Sequence, residues 1–193
     1  MMKKIHPAIG IYFSPAILTV LFLALLLGGV AFASEATDKV AENRILKIGT
    51  QAPDFEIQTI DGKPYQLREH LGQKPILLFF WSFFCGPCRE EMPSFQNIYS
   101  EVGKDRMEFV GINLDGKGLS KAINKFLASS KMEFVPLFDE LIGINYKVAD
   151  PYGIAGTPTV YVIDLQGKIA FSGVGRVEPD ELKKVLEGIL AGS

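Results

Sequence analysis

The chain has 193 residues, with 20 Lys and Arg against 22 Asp and Glu, two His and two Cys. A formal charge of −2 at pH 7 gives no basic excess with which to hold a polyanion, so nothing points to a nucleic-acid partner. Two cysteines cannot staple a small scaffold, and a chain of this length has to rely on an apolar core.

At the start, Lys3 and Lys4 precede an apolar stretch over residues 16–27, then Gly28 and Gly29, then the small-x-small triplet Ala31-Phe32-Ala33. That is the layout of an export signal. Glu35 and Asp38 follow the apolar stretch, and this charge asymmetry keeps the amino terminus inside and sends the rest out. Residues 1–33 are either cleaved after Ala33 or retained as an anchor. A helix over residues 16–33 would be about 27 Å long, marginal for a hydrocarbon core of about 30 Å. Either way the bulk of the chain is expected to be periplasmic or on the extracytoplasmic face of the membrane. Lys3 and Lys4 are the only Lys or Arg among the first 33 residues, so the remaining 160 carry 18 basic and all 22 acidic side chains, a formal −4. That length suits a single domain.

Residues 34–48, SEATDKVAENRILKI, are polar without a turn-delimited apolar pattern and predict a linker, leaving a domain over 49–193. Residues 54–67 hold two short alternating stretches, FEIQTI and PYQL, around Asp61-Gly62, a hairpin signal. The continuous apolar run 75–81 predicts a strand covered on both faces. A helix is expected over about 86–101, and a second buried strand over 107–113. Leu119, Ile123, Phe126 and Leu127 lie at helical spacing in residues 119–130, and 134–138 reads as a short extended piece. A further short helix is expected around 144–148. Residues 159–163 and 168–172 flank the turn 164–167 as a second hairpin. A terminal helix opens near Glu178 with Leu182, Val185, Leu186, Ile189 and Leu190 on one face. The order hairpin, βαβ, helix, ββ, helix predicts an α/β fold with a mixed central sheet flanked by helices.

The two cysteines stand in WSFFCGPC, residues 81–88. Cys85 ends the apolar strand, and Cys88 lies one helical turn further on. Pro87 falls where a helix start tolerates proline best. A helix beginning there puts unpaired backbone N–H groups near Cys85, which favours a thiolate. The spacing supplies an exposed attacker, Cys85, and an inner resolving thiol, Cys88. A zinc site usually needs four ligands, and beside this pair the chain offers no second cysteine pair and only His70 and His6, the latter in the expected export segment. A permanent structural disulfide over so short a loop would restrict the unfolded chain little.

WSFFCGPCREEMP (81–93) after an apolar strand, together with YGIAGTPTVYVID (152–164), resembles the thioredoxin superfamily. Within it the match is to the TlpA/ResA-type branch of extracytoplasmic thiol–disulfide oxidoreductases, over residues 49–190. The resemblance implies a thioredoxin-like fold with an N-terminal β-hairpin extension and an insertion before the cis-proline loop. It implies Cys85 as nucleophile, Cys88 as resolving cysteine and a cis bond at Pro158, with the Thr157 backbone pairing with the substrate chain. Trp81, Phe84, Gly86 and Pro87 are then the substrate-facing surroundings, with Trp81 shielding the dithiol. Phe83 and Phe84 form an apolar rim unless one of them packs inward. Glu91, three residues after Cys88, either helps move the dithiol's proton, as a glutamate of that branch is thought to do, or is a first-turn acid favoured by the helix dipole. Ordinary thioredoxins carry a buried aspartate where this chain has Phe79, and a tryptophan where it has Phe84.

The expected function is an extracytoplasmic protein-disulfide reductase working through the Cys85–Cys88 dithiol/disulfide, as a monomer and with no other cofactor. Its partners would be protein disulfides, with apocytochrome c as the client the branch suggests, and a membrane thiol–disulfide transporter as electron donor. The alternatives are an oxidant or isomerase of exported proteins and, more remotely, a metal-delivery module, for which the distal histidine of the related copper carriers is absent after His70. The Pro-x-x-x-Thr-x-x-Cys arrangement of a peroxidatic cysteine is also absent before Cys85.

Overall fold

The computed structural model describes residues 44–192. Residues 1–33, the expected signal or anchor, and residues 34–43 of the expected linker lie outside the described residues. Among the described residues no helix is long and apolar enough to cross a membrane.

The leading hairpin is β1 (Glu56–Thr59) with β2 (Pro64–Gln66), and Gly62 takes the positive φ that its turn requires. Then come β3 (Ile76–Trp81), α1 (Gly86–Val102), β4 (Glu108–Asn113), α2 (Ser120–Ser129) and β5 (Val135–Phe138). Strand β4 runs parallel to β3 on one side and to β5 on the other. A two-stranded ribbon, β6 (Leu141–Ile142) with β7 (Asn145–Tyr146), stands apart from the main sheet. The chain ends in the antiparallel pair β8 (Thr159–Ile163) and β9 (Ile169–Val174), followed by α3 (Pro179–Ala191). The order across the seven-stranded sheet is β2-β1-β5-β4-β3-β8-β9, the mixed architecture expected.

Every residue of β3, β4 and β8 is buried, which is why β3 reads as a continuous apolar run and the other two as mostly apolar ones. Alternation along β3 divides the core in two. Leu77, Phe79 and Trp81 meet Phe95 of α1, Ile123 of α2 and Leu182 of α3. Ile76, Leu78 and Phe80 meet Tyr65, Tyr152 and Tyr161 on the other face. At about 1.5 to 3 kcal/mol for each fully buried large apolar side chain, β3 is the strongest anchor for whatever follows it in the chain, and the cysteines follow it.

Two stretches differ from expectation. The short helix expected around 144–148 is instead the β6–β7 ribbon. Gly143, at φ 68°, turns the chain, and Ile144 is 94% exposed, so it belongs to no buried helical face. Beyond the ribbon, the buried carboxylate of Asp139 accepts from the amides of Glu140, Val148 and Ala149 at 2.8, 3.0 and 2.7 Å. Those three bonds organise the segment locally, which apolar spacing cannot reveal.

The second difference is in the expected linker, which is packed from Arg44 onward. Ile45 and Leu46 lie on the second core face, and Leu46 N donates to the Tyr161 hydroxyl at 3.1 Å. Gly153, at φ 68°, is overlain by the Arg44 carbonyl so closely that a Cβ would collide with it. Close backbone approach of this kind requires glycine.

Candidate active site

Cys85 is the residue between β3's exit loop and α1. It has extended backbone angles (φ −77°, ψ 105°) and occupies the N-cap position, with Pro87 just inside the helix. Cys85 and Cys88 are joined in a disulfide, with Cα atoms 5.3 Å apart. Cys85 is half-buried and Cys88 is 0% exposed, so only the Cys85 sulfur can be approached from solvent. Cys88 N lies 3.1 Å from Cys85 Sγ. When the bond opens, that N–H and the positive end of α1 both favour a Cys85 thiolate.

The β8 end of the sheet supplies the facing loop. The Thr157–Pro158 peptide is cis, and the Thr157 carbonyl oxygen lies 3.5 Å from Cys85 Sγ. Pro158 is buried, Gly86 and Thr157 are half-buried, and Pro87 is exposed. Thr159 donates its hydroxyl to the Gly156 carbonyl at 2.8 Å, tying the loop to itself. The two CGPC and TPT segments, distant in sequence, are adjacent because β3 pairs with β8 through Phe80 and Thr159.

The aromatic residues around the disulfide divide by depth. Trp81 is fully buried in the same core cluster as Cys88, with its ring edge-on to Phe134 at 6.2 Å. Phe83 packs edge-on to Phe126 of α2 at 5.7 Å, so it is the one of the pair that turns inward. Phe84 is 72% exposed and meets Phe83 at 5.5 Å. Phe79 is fully buried, with the Phe95 ring at 5.2 Å.

Glu91 lies one turn along α1 from Cys88 and is 7% exposed. Its Oε1 accepts from Val177 N at 2.7 Å, while its Oε2 is buried without a hydrogen-bond partner. Burial pushes the carboxyl above its ordinary range, against the opposing pull of the Val177 amide and the Arg176 charge. The first-turn reading of Glu91 does not hold, because the first turn of α1 contains no acid. Beside it Arg176 pairs with Glu90, and both side chains line a cleft of about 210 Å³ that also includes Glu91, Ser94 and Val177. Val177 and Arg176 carry no sequence signal, since they reach α1 only by folding.

A family model described as AhpC/TSA family matches residues 48–172, more than half of the chain. The chain belongs to the AhpC/TSA family. Thiol-disulfide oxidoreductase ResA of Oceanobacillus iheyensis is 33% identical over 171 residues, covering 86% of this chain and 85% of that protein. Thiol-disulfide oxidoreductase ResA of Geobacillus thermodenitrificans is 30% identical over 173 residues, covering 89% and 93%. Among solved structures, one assigned as thiol:disulfide interchange protein DsbE from Chlorobium tepidum is similar with a TM-score of 0.65 and 30% identity, covering 75% of this chain and 99% of that one. These likenesses agree with the thioredoxin-like, ResA-type resemblance read from the motifs.

In this AhpC/TSA member the residue three before Cys85 is Ser82, and its hydroxyl donates to Asp115 at 2.6 Å. Asp115 is the site residue that sequence reasoning missed. Its one available signal is position: it lies just past the C-terminal end of β4, the sheet edge where α/β proteins gather their functional loops.

Proposed function

We propose that this thiol–disulfide oxidoreductase is an exported protein-disulfide reductase. The observation that carries the reading is the asymmetry of the pair: a half-buried Cys85 at the N-cap, closed onto a Cys88 that solvent cannot reach. In the reduced chain, the Cys85 thiolate attacks one sulfur of a partner's disulfide, and the partner's other sulfur leaves as a thiolate. Cys88 then loses its proton and attacks Cys85 Sγ, expelling the partner's second sulfur and closing Cys85–Cys88. Two electrons pass to the partner, whose two sulfurs leave as thiolates and take their protons from solvent. The Thr157 backbone, beside the cis Pro158, pairs with the partner chain, while Phe84, Gly86 and Pro87 form the surface around the sulfur; Trp81, expected there too, is instead buried in the core cluster that holds Cys88.

Reduction of the closed disulfide outside the cytoplasm requires a dithiol fed with electrons through the membrane, so the donor is a membrane thiol–disulfide transporter. The ResA-type resemblance supports apocytochrome c, whose haem-binding cysteines must stay reduced, as a client. Lys3 and Lys4, the apolar stretch 16–27 and Ala31-Phe32-Ala33 support export, with residues 1–33 cleaved or kept as an anchor ahead of a catalytic domain packed from about residue 44.

Glu91 accepts the Cys88 proton as Cys88 attacks. An acid whose pKa is raised is ionised, and able to accept, only above the raised value, so release of the partner slows as pH falls toward it. Glu91→Gln is expected to slow release by on the order of 10²-fold at neutral pH and to remove that acidic limb. Stopped-flow release of a preformed mixed disulfide across pH measures both; an unchanged limb in the Gln variant contradicts the role.

The direction of electron flow is tested by titrating the full chain, in detergent, against graded dithiol/disulfide buffers, with thiols counted by alkylation. A midpoint below roughly −230 mV is expected, on the thioredoxin side of the known range, whereas a midpoint above roughly −180 mV makes the chain an oxidant or isomerase.

A further inference from the structure

The loop between β3 and Cys85 is held by one carboxylate from elsewhere in the chain. Asp115 Oδ1 accepts from the Ser82 hydroxyl at 2.6 Å, and its Oδ2 accepts from Phe83 N at 2.5 Å and from Asn113 Nδ2 at 2.8 Å. The carboxylate is itself oriented, because Asp115 N donates to Asn113 Oδ1 at 2.9 Å and Asn113 is 1% exposed. Ser82 Oγ then accepts from Phe84 N at 3.1 Å, and the Ser82 carbonyl accepts from Cys85 N at 3.1 Å. Each residue from Ser82 to Cys85 thus has a polar group tied, directly or in relay, to Asp115.

No bond in this relay reaches the Thr157 loop, so its effect falls on the direction of two rings. Phe83 turns in onto Phe126, and Phe84 stays 72% exposed beside Cys85. An exposed phenyl ring on an untethered loop would fold down onto the apolar surface next to it. Charge-assisted bonds to a carboxylate are strong enough to oppose that collapse. Holding an aromatic ring out in solvent gains binding energy when a partner covers it, with the ordering cost already met.

We infer that Asp115 is a positioning residue for partner recognition: through Ser82 and the Phe83 and Phe84 amides, it presents Phe84 to an apolar side chain beside the reacting cysteine of a client polypeptide. The inference rests on the reductase reading above. It makes the clamp specific to polypeptides, since a small disulfide needs to reach only the Cys85 sulfur.

The test compares the full chain in detergent, pre-reduced and desalted, in single-turnover reduction of insulin and of cystine. The readout is the ratio of the two second-order rate constants, which a general loss of folded protein does not move. Asp115→Ala is expected to lower the insulin-to-cystine ratio by about tenfold, the scale of losing hydrogen bonds to a charged group. Ser82→Ala, which removes the relay to Phe84 but leaves the Phe83 bond, is expected to lower it less, and supplies the answer if Asp115→Ala does not fold. Phe84→Ala lowers the ratio alike, and Asp115→Ala added to it lowers the ratio no further, because both act through one ring. Equal losses for both disulfides, or independent losses in the double variant, would overturn the inference while leaving the reductase reading standing. A wild-type chain that reduces neither disulfide overturns both.

Discussion

Cys88→Ser is expected to convert the chain into a trap: pre-reduced and mixed with a disulfide protein, it accumulates as a one-to-one mixed disulfide through Cys85. Cys85 keeps its place at the N-cap of α1, with the amide of residue 88 directed at its sulfur, so attack proceeds. Release does not, because a serine hydroxyl stays protonated and is a poor nucleophile toward sulfur. Multiple turnover should fall by on the order of 10³-fold or more, as when one member of a catalytic unit is removed. The adduct is visible on non-reducing gels and disappears with added dithiol. Cys85→Ser should form none, since Cys88 is 0% exposed. An adduct trapped by Cys85→Ser rather than by Cys88→Ser would reverse the assignment of attacker and resolver.

Phe79→Asp, which restores the acid that ordinary thioredoxins carry at this point, is expected to cost stability rather than to add a proton relay. Phe79 is fully buried among Phe95, Met92 and Val160 in the helix-side core. Truncating a buried phenylalanine alone costs about 3 to 5 kcal/mol. A carboxyl group left there without a partner adds about 1 to 3 kcal/mol even if it takes up a proton. The sum is comparable with the whole stability of a domain, about 5 to 15 kcal/mol. Urea unfolding followed by circular dichroism should show a loss of at least about 4 kcal/mol, against under about 1.5 kcal/mol for the apolar swap Phe79→Leu. A Phe79→Asp chain as stable as the Leu control would mean that this core position accommodates a carboxyl, and that the departure from thioredoxins is not dictated by packing.

Most of the sheet was legible because its signals are local. The runs that became β3, β4 and β8 are mostly apolar, as fully covered strands tend to be, and Asp61-Gly62 marks a tight turn by its own backbone preference. The helix at Glu178 showed its apolar face through spacing alone. Residues 144–148 misled because Ile144 and Val148, four apart, could share a helix face, although Tyr146 between them fits the two-residue period of a strand. What decides their structure is Gly143 at positive φ and three amides gathered by Asp139, neither of which shows in the spacing of apolar residues. Residues 44–48 read as linker because Ile45, Leu46 and Ile48 end a polar stretch without a turn-delimited pattern, which gives no hint of the Tyr161 hydroxyl that receives Leu46 N.

By itself, then, the order of residues determined the chemistry: a dithiol at a helix start, with a Thr-Pro that the resemblance sets opposite it. These are written in neighbouring residues, and spacing along one strand or helix carries them into space unchanged. Only the tertiary structure decided which sulfur is reachable, which phenylalanine turns outward, that Glu91 is buried against Val177, and that Asp115 holds the loop. Each of those depends on contact between segments about 30 to 90 residues apart, and burial and hydrogen-bond partnership across such separations arise only when the chain packs.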